Sequence, residues 1–132
     1  MSLRRNDALR DSLATHQGGL FDGGTVELRT GGQPADPDSA ASGTLLSTIA
    51  LPTPALSVAG PVISKAGSWS GDAVATATAG WARIKNAAGT RWIDVSVTEG
   101  GGGGDLTIDD DAVVSGGIVT VTGFSITIPD GV

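Results

Sequence analysis

The sequence predicts a mainly β fold: an antiparallel β-sandwich of seven or eight strands, Ig-like or jelly-roll-like, preceded by one short N-terminal α-helix. Three observations carry this prediction. Residues 1–24 contain no Val or Ile, whereas the chain after Thr25 is dense in Val, Ile and Thr, which crowd a helix at Cβ and suit a pleated strand. Glycine is the compositional outlier, with 21 among 132 residues, and together with proline it cuts the second region into segments of strand length. Several of those segments alternate apolar and polar residues, as strands do when one face is buried. The single composition switch near Gly23-Gly24 divides the chain into a helical arm, 1–22, and a β-sandwich domain, 23–132.

In the arm, Leu9, Leu13 and Gln17 recur at helical spacing, Ser2 or Asn6 can cap the start, and Gly18-Gly19 can stop it; a helix over about Leu3 to His16 follows. Its thin apolar stripe suits docking on a neighbour better than forming the centre of a core. Beyond the switch, Thr25 to Arg29 alternates cleanly with Val26 and Leu28 inward. Residues 31–43 hold two prolines between glycine corners and read as a surface loop. Leu45, Ile49 and Leu51 share one face of a second strand ended by Pro52 and Pro54, and weaker strand signals lie over 58–63 and 72–78.

The best-defined unit is a hairpin, Trp81 to Lys85 and Thr90 to Val97, around the four-residue loop Asn86-Ala87-Ala88-Gly89. That loop length sets Arg83 opposite Trp92 and Trp81 opposite Asp94. One face then carries Trp81, Arg83, Trp92 and Asp94, and the other Ala82, Ile84, Ile93, Val95 and Val97. After a glycine run, Leu106 and Ile108 make a short strand that ends in the turn Asp109-Asp110-Asp111. The last strand, 118–128, has a phase conflict: Val119 and Val121 are odd, Phe124, Ile126 and Ile128 even. A bulge or a sheet crossing at Gly123 reconciles the two halves.

Charge and chemistry exclude more than they assign. The formal net charge is -6, and all eight Lys and Arg lie at or before Arg91, so the last third is acidic throughout and repels a polyanion; nucleic-acid binding is not expected. No apolar run approaches about 18 residues, so neither a membrane span nor a secretion signal is expected. With no cysteine and one histidine, thiol catalysis is absent, and His16, at the end of the helix, suits a surface position better than a triad. Gly67 to Gly71 has Trp69 where a nucleophile elbow needs serine. Asp105, Asp109, Asp110 and Asp111 lack the spacing of a calcium loop and read as a solvated acidic turn. No enzyme activity, metal or cofactor is expected. The Trp81, Arg83, Trp92, Asp94 face fits ordinary packing beneath a covering loop or subunit, a protein contact, or a sugar platform.

The order of short motifs adds a resemblance. Residues 23–34 (GGTVELRTGGQP), 43–49 (GTLLSTI), 73–79 (AVATATA), 88–90 (AGT), 101–108 (GGGGDLTI) and 123–129 (GFSITIP) follow one another, and together they resemble the small β-sandwich virion proteins of tailed bacteriophages. The resemblance implies a non-enzymatic virion protein, foremost a head decoration or cement protein on the outer surface of the phage head. Its implied partners are the major capsid protein and copies of itself in a homotrimer. Leu3, Arg4, Arg5, Leu9 and Leu13, on the one helical and clearly basic stretch, are the candidate capsid or subunit docking residues. The alternative is a collar or tail-fibre component with a glycan receptor bound at Trp81, Arg83, Trp92 and Asp94.

Overall fold

The computed structural model describes residues 4–100 and 102–129. Helix α1 spans Asp7–Leu20 and is capped by Asn6, whose side chain accepts the Leu9 amide at 3.0 Å, satisfying one of the donors that a helix start leaves free. It starts and ends later than the expected Leu3 to His16, and Gly18-Gly19 lies within it. Gly18 is a contact point and not a stop: a Cβ there would stand 2.6 Å from the Val58 side chain. The buried side of α1 is therefore Ala14 and Gly18, small residues that let the backbone approach the strands beneath. Leu9 and Leu13, the expected apolar stripe, stay 48% and 40% exposed.

Ten strands follow among the described residues: β1 (Thr25–Thr30), β2 (Leu45–Ala50), β3 (Leu56–Ala59), β4 (Val62–Lys65), β5 (Ser70–Asp72), β6 (Ala77–Lys85), β7 (Trp92–Glu99), β8 (Leu106–Ile108), β9 (Ala112–Val113) and β10 (Ile118–Thr127). The fold is mainly β with one N-terminal helix, as the composition switch predicts. Pairing runs continuously in the order β2-β1-β6-β7-β8-β10-β4-β3, with β5 on β10 and β9 on β6. A bridge between Ser47 and Ala73 brings β2 to the end of β5, so the sheet curls back on itself. Helix α1 packs on the β3–β4 hairpin, which replaces the single strand expected over 58–63.

The sheet is not wholly antiparallel, because β7 and β8 pair in parallel. Parallel neighbours ordinarily need a crossover of about a dozen residues or more. Here the glycine-rich link doubles back tightly. The Asp105 carboxylate accepts the Ser96 amide and hydroxyl at 3.5 and 3.3 Å, and the Gly104 amide donates to Thr98 Oγ1 at 3.0 Å. The expected irregularity in the last strand is present: the β10–β8 register shifts between Val121 and Gly123, which lets Val119, Val121 and Phe124 all be buried. A second bulge, between Leu28 and Arg29 in the β1–β2 pairing, turns Leu46 into the core in place of Leu45. The core gathers Val26, Leu28, Ile49, Ile63, Ile84, Leu106 and Ile108 around Trp69, fully enclosed with its Nε1 donating to the Ala55 and Ala66 carbonyls at 3.2 and 3.1 Å. Ala14 and Phe21 belong to the same cluster.

Candidate functional site

The hairpin is wider than its sequence suggests. Lys85 pairs with Trp92, Arg83 with Asp94 and Trp81 with Ser96, two residues out from the expected register. Asn86 sets this width: its side-chain oxygen accepts the Thr90 and Arg91 amides at 2.9 and 3.1 Å, and its own amide donates to the Arg91 carbonyl at 3.0 Å. A shift of two preserves the faces, so Ala82, Ile84, Val95 and Val97 still enter the core. It also sets Arg83 directly across from Asp94. Their contact is bidentate, Nε to Oδ1 at 2.7 Å and Nη2 to Oδ2 at 3.0 Å, with the side chains only 5% and 3% exposed. The hydrogen bond to Asp94 raises the Arg83 pKa above its ordinary value, and burial opposes that rise without cancelling it.

The loop of residues 31–43 closes over this face. Asp36 organises its tip, accepting the Asp38 amide on its side chain at 2.9 Å and the Ser39 amide on its carbonyl at 3.0 Å. That turn presents two backbone acceptors: Arg83 Nη2 donates to the Ser39 carbonyl at 2.9 Å, and Trp92 Nε1 donates to the Pro37 carbonyl at 2.6 Å. The Arg83 guanidinium lies 5.5 Å from the Trp81 ring centroid and 5.0 Å from that of Trp92, within cation–π range. Trp81 is wholly buried, and its Nε1 has no hydrogen-bond partner among the described residues. The structure thus brings Trp81, Arg83, Trp92 and Asp94 together and turns the polar groups of Arg83, Trp92 and Asp94 inward, onto each other and onto the loop. Sequence reasoning missed the capping role of Pro37 and Ser39, because backbone carbonyls leave no signature in residue type.

Between the exposed side of α1, the start of β7 and the end of β10 lies an open groove of about 410 Å³. Its walls include Leu13, Leu20, Ile93 and Ile128, and Arg5, His16 and Arg91 stand around them. Its origin is topological: β8 pairs only with Val97 to Glu99 of β7, so the first half of β7 has no strand among the described residues on that side. Arg5 and Arg10 tie the helix across the opening, donating to the Pro129 and Ile128 carbonyls at 3.3 and 3.1 Å. Of the expected docking residues, Leu13 and Arg5 line this groove, Leu9 and Arg4 are exposed outside its lining, and Leu3 lies outside the described residues.

At the opposite end of β7, carboxylate oxygens of Glu99, Asp110 and Asp111 lie within 4.8 Å of one another. Asp105 and Asp109 are not among them; Asp105 holds Ser96, and Asp109 accepts the Asp110 and Thr120 amides at 3.0 and 3.2 Å. Three oxygens are fewer than the about six to eight that calcium takes. The Asp111 amide donates to Glu99, which alone lowers the Glu99 pKa; the side chains of Asp110 and Asp111 outweigh it and hold Glu99 above its ordinary value. A carboxyl raised in the folded state supports folding below its ordinary pKa and loses that contribution as pH rises through the raised value. Asp110→Asn, which keeps the acceptor for the Ala112 amide, is therefore expected to raise the thermal midpoint at pH 7 relative to wild type. Melts at pH 3 should show that gain gone.

Against family models, curated proteins and solved structures, the chain finds no match.

Proposed function

We propose that this protein is a non-enzymatic virion component that works through protein contacts, foremost as a decoration or cement protein of a bacteriophage head. Its main support is the way α1 is held. The helix is anchored by Ala14 and Gly18, which leaves Leu9 and Leu13 at the surface on a helix that is already fixed in place. Ordered apolar side chains beside arginines suit a protein interface, because apolar surface that is already held in place is buried there at little entropic cost. The motif order gives the virion setting. A glycan site at Trp81, Arg83, Trp92 and Asp94 has weaker support, because the loop of residues 31–43 takes the donors of Arg83 and Trp92 and Arg83 holds Asp94, so the loop would have to lift.

The test is the double variant Leu9→Glu/Leu13→Glu. Both residues are exposed, so the unfolding free energy is expected to stay within about 0.5 kcal/mol of wild type. Attachment to particles lacking the protein, measured by co-sedimentation, should be lost. Undiminished attachment would remove α1 from the interface. Substitution is preferable to deleting the helix, which would strip Ala14 from the core.

A further inference from the structure

The exposed large apolar side chains among the described residues are Leu9, Leu13, Val74, Val114 and Ile118, and they fall at two ends of the molecule. Leu9 and Leu13 belong to the groove end. Val74, Val114 and Ile118 belong to the acidic end: Val114 and Ile118 flank a shallow hollow lined also by Asp109 and Asp110, and the Ala73 amide ties the chain before Val74 to the Gly117 carbonyl at 2.8 Å. Strand β7 separates the ends, with Trp92 in the groove and Glu99 at the acidic turn. At about 3.3 Å per residue its length is on the order of 25 Å. Strand β10 runs the other way, from Ile118 at the acidic end towards Ile128 in the groove. Each end is apolar and charged, and the charges are opposite: Arg5 and Arg91 at one, Glu99, Asp109 and Asp110 at the other.

We propose that the occupant of the groove is a second copy of this chain, docked head to tail, with Val114 and Ile118 of one molecule against the groove of the next and its Asp109 and Asp110 facing Arg91 and Arg5. Apolar contact supplies attraction and the paired charges fix polarity, since groove-to-groove or tip-to-tip approach sets like charges together. Two different patches in contact make a heterologous interface, which leaves a free groove and a free tip on every assembly that does not close. With the patches at opposite ends of β7 the expected assembly is a stack, not the homotrimer implied by the motif resemblance. This goes beyond the proposed function and rests on it only for its setting: a copy seated on a capsid by its helix end presents its acidic end for the next.

The contact is tested without a capsid, by sedimentation velocity of the full chain at about 0.01 M salt, where the Debye length is about 30 Å. Wild type is expected to grow past a dimer as concentration rises. Arg91→Glu spoils the groove and keeps the tip; Ile118→Lys spoils the tip and keeps the groove; each alone should be monomeric, with a thermal midpoint equal to wild type. Mixed, they should form a 1:1 heterodimer and nothing larger. A wild type that stays monomeric, a closed dimer that both variants still form, or a mixture that stays monomeric would overturn the proposal. Particle attachment is scored separately with Ile118→Lys, whose helix and groove are intact. Attachment of Ile118→Lys beside a wild type that does not stack refutes this contact alone, whereas a wild type that stacks while Ile118→Lys fails to attach refutes the capsid role and upholds the contact.

Discussion

Arg83→Met is expected to lower the unfolding free energy by about 3–5 kcal/mol, the usual cost of removing one partner from a buried ion pair. The size follows from what is left behind. Asp94, with its side chain 3% exposed, would keep a carboxylate out of water with neither guanidinium donor in reach. The Pro37 and Ser39 carbonyls would lose the Arg83 Nη2 donor at 3.4 and 2.9 Å, and both Trp81 and Trp92 would lose the cation over their rings. Urea denaturation measures the loss. The companion Arg83→Met/Asp94→Leu removes both charges while keeping bulk, and replacing a whole buried pair by apolar groups is often close to neutral. The double variant should therefore recover most of the stability. A single variant within about 1 kcal/mol of wild type would show that the pair is solvated in solution. Because Arg83 also holds the loop of residues 31–43, cleavage within that loop by limited proteolysis should rise in the single variant.

Trp69→Ala should cost a similar amount, about 3–5 kcal/mol, by emptying the centre of the core. Trp69 is fully enclosed, its ring lies 5.8 Å from that of Phe124, and its Nε1 serves two backbone carbonyls, those of Ala55 and Ala66. Truncation both opens a cavity and strands those acceptors. Trp69→Phe separates the two effects, since it keeps most of the volume and loses the hydrogen bonds; its cost should be nearer about 1–3 kcal/mol. Thermal and urea unfolding of the pair checks the division. Equal costs for Phe and Ala would mean that hydrogen bonding, not packing, fixes this residue.

Trp69 also shows where sequence reading stops. In the sequence it is the residue that spoils a resemblance to a nucleophile elbow; that its indole closes the core depends on Ala55 and Ala66, fourteen and three residues away. Ala14 and Gly18 show a second limit. Helical spacing picks out Leu9 and Leu13 as the apolar stripe, yet the residues buried against the strands are Ala14 and Gly18, because close approach to Val58 and Ile63 requires small residues and periodicity measures apolarity, not size. The β10 phase conflict was legible because a strand's two-residue period is intrinsic to the backbone, so a break in phase has to be met by a bulge.

Local chemistry in the sequence therefore determined the helix at the start, the change to strands after Gly24, the inward and outward faces of β6 and β7, and the bulge in β10. Each depends on backbone preferences and side-chain alternation within a few residues. Tertiary structure decided that the sheet curls through one continuous pairing order, that β8 runs parallel to β7 and stops short to leave the groove, and that Arg83 meets Asp94 beneath the loop of residues 31–43. Those outcomes depend on which strand edges and carbonyls meet across the fold, and backbone hydrogen-bonding groups are the same in nearly every residue, so their pairing is settled only when the chain is packed.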